Sequence, residues 1–417
     1  MQTWLPNPTE GFGLKHLPYG AHRAGTETHL CVRIHDQLLD LAACNAVGLL
    51  ETCAPELRAA LQQPTMNAFL ALGPAAWQAL RTQLISILSE TAPATRREQA
   101  ARCLHPLAAA DLVLPIAIGN YTDFYASLDH ARRIGEIFRP DSPLLPNYKH
   151  IPLAYHGRAS SIVISGTPIR RPNGQARPTT REGAPGFGPS TTLDYEAELA
   201  FIIGTGNNLG SPIPIADAPA HLFGVALLND WSARDIQSWE YQPLGPFLGK
   251  SFATTLSPWI TPMAALEPFR ITPRPRPSAD PGPLPYLLDA LDQQSGALDI
   301  EVVTTLSTPD LHPLARTNTR QLYWTQAQMI AHHTSNGCNL QPGDILGSGT
   351  LSGPELTSAG CLMERNRNGA EPIALSEGIH RTWLEDDDEI TLSATCERPG
   401  VPSIRLGNCS GRILPAH

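Results

Sequence analysis

Glu196 and Glu198 stand two residues apart within Leu193–Ile203, a run whose apolar pattern is that of a β-strand. In a strand, residues i and i+2 project from one face. Two carboxylates held so close repel each other unless both meet bulk water or a cation lies between them. The apolar flanks suit a central strand, which makes a cation the sharper expectation, although an exposed strand face would also explain a lone E-x-E pair. Two more carboxylates strengthen the case. Asp230 ends the hydrophobic stretch Leu227-Leu228-Asn229-Asp230 just before Trp231-Ser232-Ala233-Arg234-Asp235-Ile236-Gln237, and Asp123 lies in Gly119–Tyr125. Segments that leave a scaffold are where reactive groups concentrate. Four carboxylates without a thiolate or imidazole suit a hard divalent ion, Mg²⁺ or Ca²⁺, better than zinc.

Seven residues beyond Asp123 comes His130, in a segment (Tyr125–Arg139) whose Ala131, Ile134, Ile137 and Phe138 spacing predicts a helix. Tyr125 and Arg139, on either side, are donors suited to an organic carboxylate. That company makes His130 a candidate base as well as a candidate structural histidine. Other reactive types are less promising. Cys338 has no base nearby and is expected to be a small buried hydrophobe. His332 and His333 would diverge by about 100° on a helix, so they are expected to end one, closed by Asn336-Gly337. The acidic run Glu385–Glu389 lacks the spacing and glycine of a calcium loop, and a solvated turn is expected there.

The elements that must position these groups fall into two parts. Residues 1–115 read as a small α+β or barrel-like structural domain with no cluster of candidate catalytic residues. Leu30, Val32 and Ile34 alternate with polar neighbours and turn at Asp36-Gln37 toward Leu38-Leu39, which predicts a hairpin. Pro74 suits a first helical position ahead of Trp77, Leu80, Leu84 and Leu88, and Thr95 with Glu98 predicts a capping box. Residues 116–417 are dense in Gly, Pro, Trp and Tyr, with short alternating runs such as Ile162–Ser165, Ile300–Leu306 and Ile390–Cys396, so this part is expected to be mostly sheet. Forty prolines in 417 residues, against a usual share of roughly 5%, argue against helical bundles. Several of them lie in Pro268–Pro285, which reads as a stiff surface excursion.

Composition excludes several partners. The net charge is −9 and basic residues do not cluster, so nucleic acid is not an expected partner. Apolar runs are broken well short of the ~20 residues a membrane span needs. The first residues carry no basic segment followed by an apolar one. The eight cysteines include no C-x-x-C pair, which suits reduced thiols in a cytoplasm.

Six segments, Tyr121–His130, Tyr155–Ser161, Ser165–Pro172, Asp230–Gln237, Pro243–Phe252 and Ser348–Glu355, resemble the fumarylacetoacetase family in sequence and in order. The resemblance runs from about residue 116 to 415, with a looser match at Gly11–Leu14 and Leu17–Gly20. It implies a mainly β protein with α+β elements, made of an N-terminal Src-homology-3-like barrel domain and a C-terminal mixed β-sandwich roll, assembled as a homodimer. The implied reaction is hydrolysis of 4-fumarylacetoacetate, a diketo acid, to fumarate and acetoacetate. In the family pattern Asp123, Glu196, Glu198 and Asp230 are calcium ligands, and Lys250 and Thr254 join Asp230 around magnesium. A protonated lysine side chain has no lone pair, so any ligation by Lys250 would use its carbonyl oxygen. Tyr125, Arg139, Tyr155, Gln237, Tyr241 and Thr350 match substrate-contacting positions. His130 matches the general base, Glu364 the carboxylate that orients it, and Arg234, Gln237 and Lys250 suit stabilisation of an oxyanion. Members of the wider superfamily keep the metal carboxylates yet act as decarboxylases, hydratases or acylpyruvate hydrolases. The Tyr125/His130/Arg139 segment and the two-part length favour the fumarylacetoacetate reaction.

Overall fold

The computed structural model describes residues 2–6, 8–178, 183–308, 310–376 and 378–417. Its centre is an eight-stranded mixed sheet. Seven strands follow one another in space as Ala154–His156, Tyr121–Phe124, Ile345–Gly347, Ala197–Ile203, Leu222–Asp230, Thr254–Leu256 and Ile162–Ile164, and Thr261–Pro262 also pairs with Leu222–Asp230. Tyr121–Phe124 runs parallel to Ile345–Gly347, and Thr254–Leu256 parallel to Ile162–Ile164; the other pairs are antiparallel.

The central strand Ala197–Ile203 is buried along its whole length, because both faces of the sheet are covered. Leu199, Phe201 and Ile203 enter one core, shared with the five-stranded sheet that contains Glu301–Thr308 and Glu389–Arg398. Ala200 and Ile202 enter a second core, built largely from residues of the N-terminal part such as Leu30, Phe69 and Leu84. Strands of the outer sheet bury alternate residues only, as expected for a sheet with one packed face.

The N-terminal part forms an antiparallel five-stranded sheet in the order Leu104–Pro106, Gln37–Asp40, Glu27–Ile34, Tyr19–Ala24, Leu112–Val113. The predicted hairpin is its centre, turning at His35-Asp36 with Ile34 opposite Gln37. The sheet curls into a half-barrel: the rings of His22 and His105, three strands apart in the order, have centroids only 5.6 Å apart. The described pairings follow one open path. The predicted helix is Pro74–Leu88, with its proline in the first turn.

Three local expectations are corrected. Helix Ala94–Ala101 starts two residues before the position a Thr95 cap requires: Pro93, at φ −55° and ψ 146°, sets the entry, and no side chain caps it. Among the acidic residues, Asp388 is not solvated. It is 1% exposed and accepts two 3.0 Å hydrogen bonds from Arg381. Cys338 is half-buried rather than buried, unlike the seven other cysteines. No membrane-length apolar helix occurs among the described residues.

Candidate active site

Register builds the carboxylate group. Asp123 pairs with Gly347, Gly347 with Ala200, and Asp230 with Thr254. Glu198 lies opposite Leu228, two residues before Asp230 on the neighbouring strand. Asp123, Glu196, Glu198 and Asp230 therefore emerge on one sheet face, the face that packs on the N-terminal part further along through Tyr121, Ala200, Ile202 and Leu228. One carboxylate oxygen from each lies within 4.8 Å of the others, and all four residues are buried. Gly347 leaves the space they share: a Cβ there would stand 2.6 Å from Asp123 Oδ1 and 3.0 Å from Glu198 Oε2.

Two cations answer this charge. Lys250 Nζ donates to Glu196 and, at 2.6 Å, to Asp230. Arg234 donates from Nη1 to Glu196 at 2.7 Å and is held by Asp194, which accepts from its Nε and Nη2 at 2.9 Å each. Burial alone would raise Glu196, but Lys250 and Arg234 outweigh it and hold the carboxyl at about 2. Burial, and then neighbouring carboxylates, push Asp123 and Glu198 well above the usual range. Asp123 Oδ1 and Glu198 Oε1 are buried without a donor among the described residues. Acceptors left bare beside other carboxylates fit a hard divalent ion, and the all-oxygen donor set suits Mg²⁺ or Ca²⁺.

His130 lies in the first turn of helix Leu128–Phe138, capped by Ser127. Its Nδ1 is 2.7 Å from Glu364 Oε1, and its Nε2 has no hydrogen-bond partner among the described residues. Glu364, in helix Leu362–Arg365, also accepts from Ser352 Oγ at 2.6 Å and Arg133 Nη1 at 2.9 Å. Burial works against its charge, yet His130, Ser352 and Arg133 hold it down at about 2, against an ordinary 4.5. A folded-state value below the unfolded one stabilises the fold in full above pH 4.5 and progressively less as pH falls toward 2. Glu364→Gln is thus expected to cost about 3 kcal/mol at pH 7, at about 1.4 kcal/mol per pH unit. Denaturant unfolding of both proteins down a pH series should show the gap narrowing below pH 4.5; a constant gap would refute this account.

The remaining predicted residues surround these two groups. Tyr155 OH and Thr254 Oγ1 each donate to Asp230 at 3.0 Å. The Tyr125 ring meets His130 edge-on at 5.2 Å. Gln237 accepts from Arg234 through Oε1 at 3.1 Å. Thr350 is buried beside Gly349, whose N–H donates to Glu198 at 3.1 Å. Tyr241 is exposed just past helix Arg234–Glu240, and Arg139 ends the His130 helix, donating to Pro143 O at 3.2 Å. Sequence reasoning missed Asp194, Arg133 and Ser352, which fix Arg234 and Glu364. Arg133 could have been flagged, since it lies one helical turn beyond His130.

The fold thus sets a buried four-carboxylate group and a histidine–carboxylate pair on a scaffold of mixed β-sheets. Residues 120–413 match the family described as fumarylacetoacetate (FAA) hydrolase C-terminal, and residues 15–115 match fumarylacetoacetase N-terminal. The chain belongs to the fumarylacetoacetate hydrolase family. The fumarylacetoacetase of Arabidopsis thaliana is 46% identical over 413 residues, covering 97% of this chain and 96% of that protein. That of Oryza sativa subsp. japonica is 45% identical over 418 residues, covering 98% and 96%. The solved fumarylacetoacetate hydrolase of Exiguobacterium antarcticum shares the fold, with a TM-score of 0.52 at 16% identity over 96% of this chain and all of that one.

Proposed function

We propose that this chain hydrolyses 4-fumarylacetoacetate to fumarate and acetoacetate, with a Mg²⁺ or Ca²⁺ ion held by Asp123, Glu196, Glu198 and Asp230. The observation that carries the reading is the His130–Glu364 pair at 2.7 Å in a chain that also gathers four buried carboxylates. Nearly full-length identity to fumarylacetoacetases supports the choice of substrate.

The chemistry a divalent ion supplies there is Lewis-acid polarisation of a 1,3-diketone and a hold on the departing enolate. The protein groups do the rest. His130 Nε2 takes a proton from water, and Glu364, fixed on Nδ1, stabilises the resulting imidazolium. The hydroxide adds to the ketone carbon joined to the alkene, which becomes a carboxyl carbon of fumarate. The bond from that carbon to the methylene then breaks, its electron pair leaving on the acetoacetate methylene, which takes up the proton held by His130. Lys250 commits two of its three protons to carboxylates, and Arg234 keeps one Nη2 proton uncommitted. These protons and the Gln237 amide can serve the oxyanion. Lys250 and Thr254 also lie beside Asp230, where a magnesium ion would sit. Tyr125, Arg139, Tyr155, Tyr241 and Thr350 offer donors for the substrate's carboxylates and ketones.

Residues 1–115 serve as the smaller barrel-like domain and 116–417 as the catalytic one. Exposed Leu244, Phe247 and Leu248, next to Lys250, suit a homodimer contact, and eight free thiols suit a reducing cytoplasm. Loss of diketone absorbance should accompany formation of fumarate and acetoacetate. Decarboxylation of oxaloacetate with no diketone cleavage would overturn the reading.

A further inference from the structure

The N-terminal half-barrel carries a second group of ligand atoms that the hydrolytic site does not use. His22 and His29 are directly paired across the hairpin of Tyr19–Ala24 and Glu27–Ile34, and Asp40, at the end of the next strand, comes up beside them. One ligand atom from each lies within 4.8 Å of the others. Asp40 Oδ2 is 2.7 Å from His29 Nδ1 and 3.3 Å from His22 Nε2. The second contact is close but out of line. His22 is 5% exposed, and its Nε2 makes no hydrogen bond among the described residues. A buried imidazole nitrogen left bare is costly unless something fills the gap.

The surroundings are those of a prepared ligand set. Asp40 Oδ1 is fixed by capping helix Leu41–Ala46, accepting from Ala43 N–H at 2.9 Å. The outer nitrogen of His29 lies 3.4 Å from Glu27 Oε2, where metal-bound imidazoles commonly find a carboxylate. His105 stands at the edge of the group. The His22–Asp40 separation matches the edge of a tetrahedron with bonds of about 2.0 Å, and the His29–Asp40 contact would open by about 0.6 Å to match it.

We propose that His22, His29 and Asp40 bind a borderline divalent ion of the Zn²⁺ type, separate from the four-carboxylate site. Two imidazoles with one carboxylate select such an ion, whereas the all-oxygen group selects Mg²⁺ or Ca²⁺. The ion would tie three strands and a helix cap together, as a clamp on the half-barrel.

The test uses the full chain saturated with Mg²⁺, to block the carboxylates, and titrated with Co²⁺ as a visible probe. Wild type should bind one Co²⁺ with a tetrahedral absorption spectrum, lose it to Zn²⁺, and gain in Tm. His22→Gln and His29→Gln should each weaken binding by about tenfold or more, abolish the Tm gain and leave hydrolysis unchanged. If His22→Gln folds poorly, His29→Gln, at a side chain 25% exposed, carries the test. Unaltered Co²⁺ binding in the variants, or none in the Mg²⁺-saturated wild type, would overturn the proposal.

Discussion

His130→Ala is expected to lower kcat for fumarylacetoacetate by about 10²–10⁴ while changing KM little. The size follows from what the side chain is free to do. Its Nδ1 is spent on Glu364, at 2.7 Å, and the arrangement leaves Nε2 open for a water proton. Ser352 and Arg133 fix Glu364 in turn, so turning the imidazole over would break its hydrogen bond to a carboxylate that is itself held in place. A histidine serving only the core would behave differently: alanine would lower Tm through the lost packing, and the molecules that remained folded would turn over normally. Steady-state kinetics below the Tm of each protein separates the two roles. Activity within about threefold of wild type would remove His130 from the chemistry.

Much of the site was legible because strand parity is a local property. The one residue between Glu196 and Glu198 suffices to put both on one face, and a hydrophobic run that stops at Asp230 locates a strand end. The predicted helix after Tyr125 is Leu128–Phe138, closing at Arg139. What was illegible depends on chain-distant contacts. Asp194 braces Arg234 from 40 residues away and accepts from the Leu362 and Met363 N–H groups, 168 and 169 residues on. No local pattern encodes that. The Pro/Arg segment likewise read only as a surface excursion. In the fold its prolines 275 and 277 face outward, and Arg274 and Arg276 turn inward. Arg274 donates to Asp129 at 2.7 Å, in the first turn of the helix that bears His130, and Arg276 lies over the Tyr323 and Trp324 rings at 4.2 and 4.5 Å. Proline stiffness was readable there, but its use, to brace the helix of the candidate base, needed the partner surface. His22 and His29 were overlooked for the same reason. Only the hairpin register and the curl of the sheet bring Asp40 to them.

Removing divalent ions is expected to abolish turnover, and adding back Mg²⁺ or Ca²⁺, without any softer ion, should restore it. The loss should reach about 10² or more, since Lewis-acid stabilisation of developing charge is worth several kcal/mol. The electrostatics of the pocket make the same demand independently of the reaction. Five buried carboxylates, at Asp123, Asp194, Glu196, Glu198 and Asp230, face two buried cations among the described residues, Arg234 and Lys250. Without an ion the excess must be met by repulsion or by bound protons. A chelated enzyme should therefore melt earlier than the ion-loaded one. Asp123→Asn separates this from a purely catalytic effect: it keeps the side-chain shape, removes one of the unanswered charges and weakens the ion site. In chelator it should melt no earlier than wild type, yet it should remain inactive when Mg²⁺ is returned. Full turnover in chelator, or an Asp123→Asn protein as active as wild type, would leave the carboxylates a structural group with no part in the reaction.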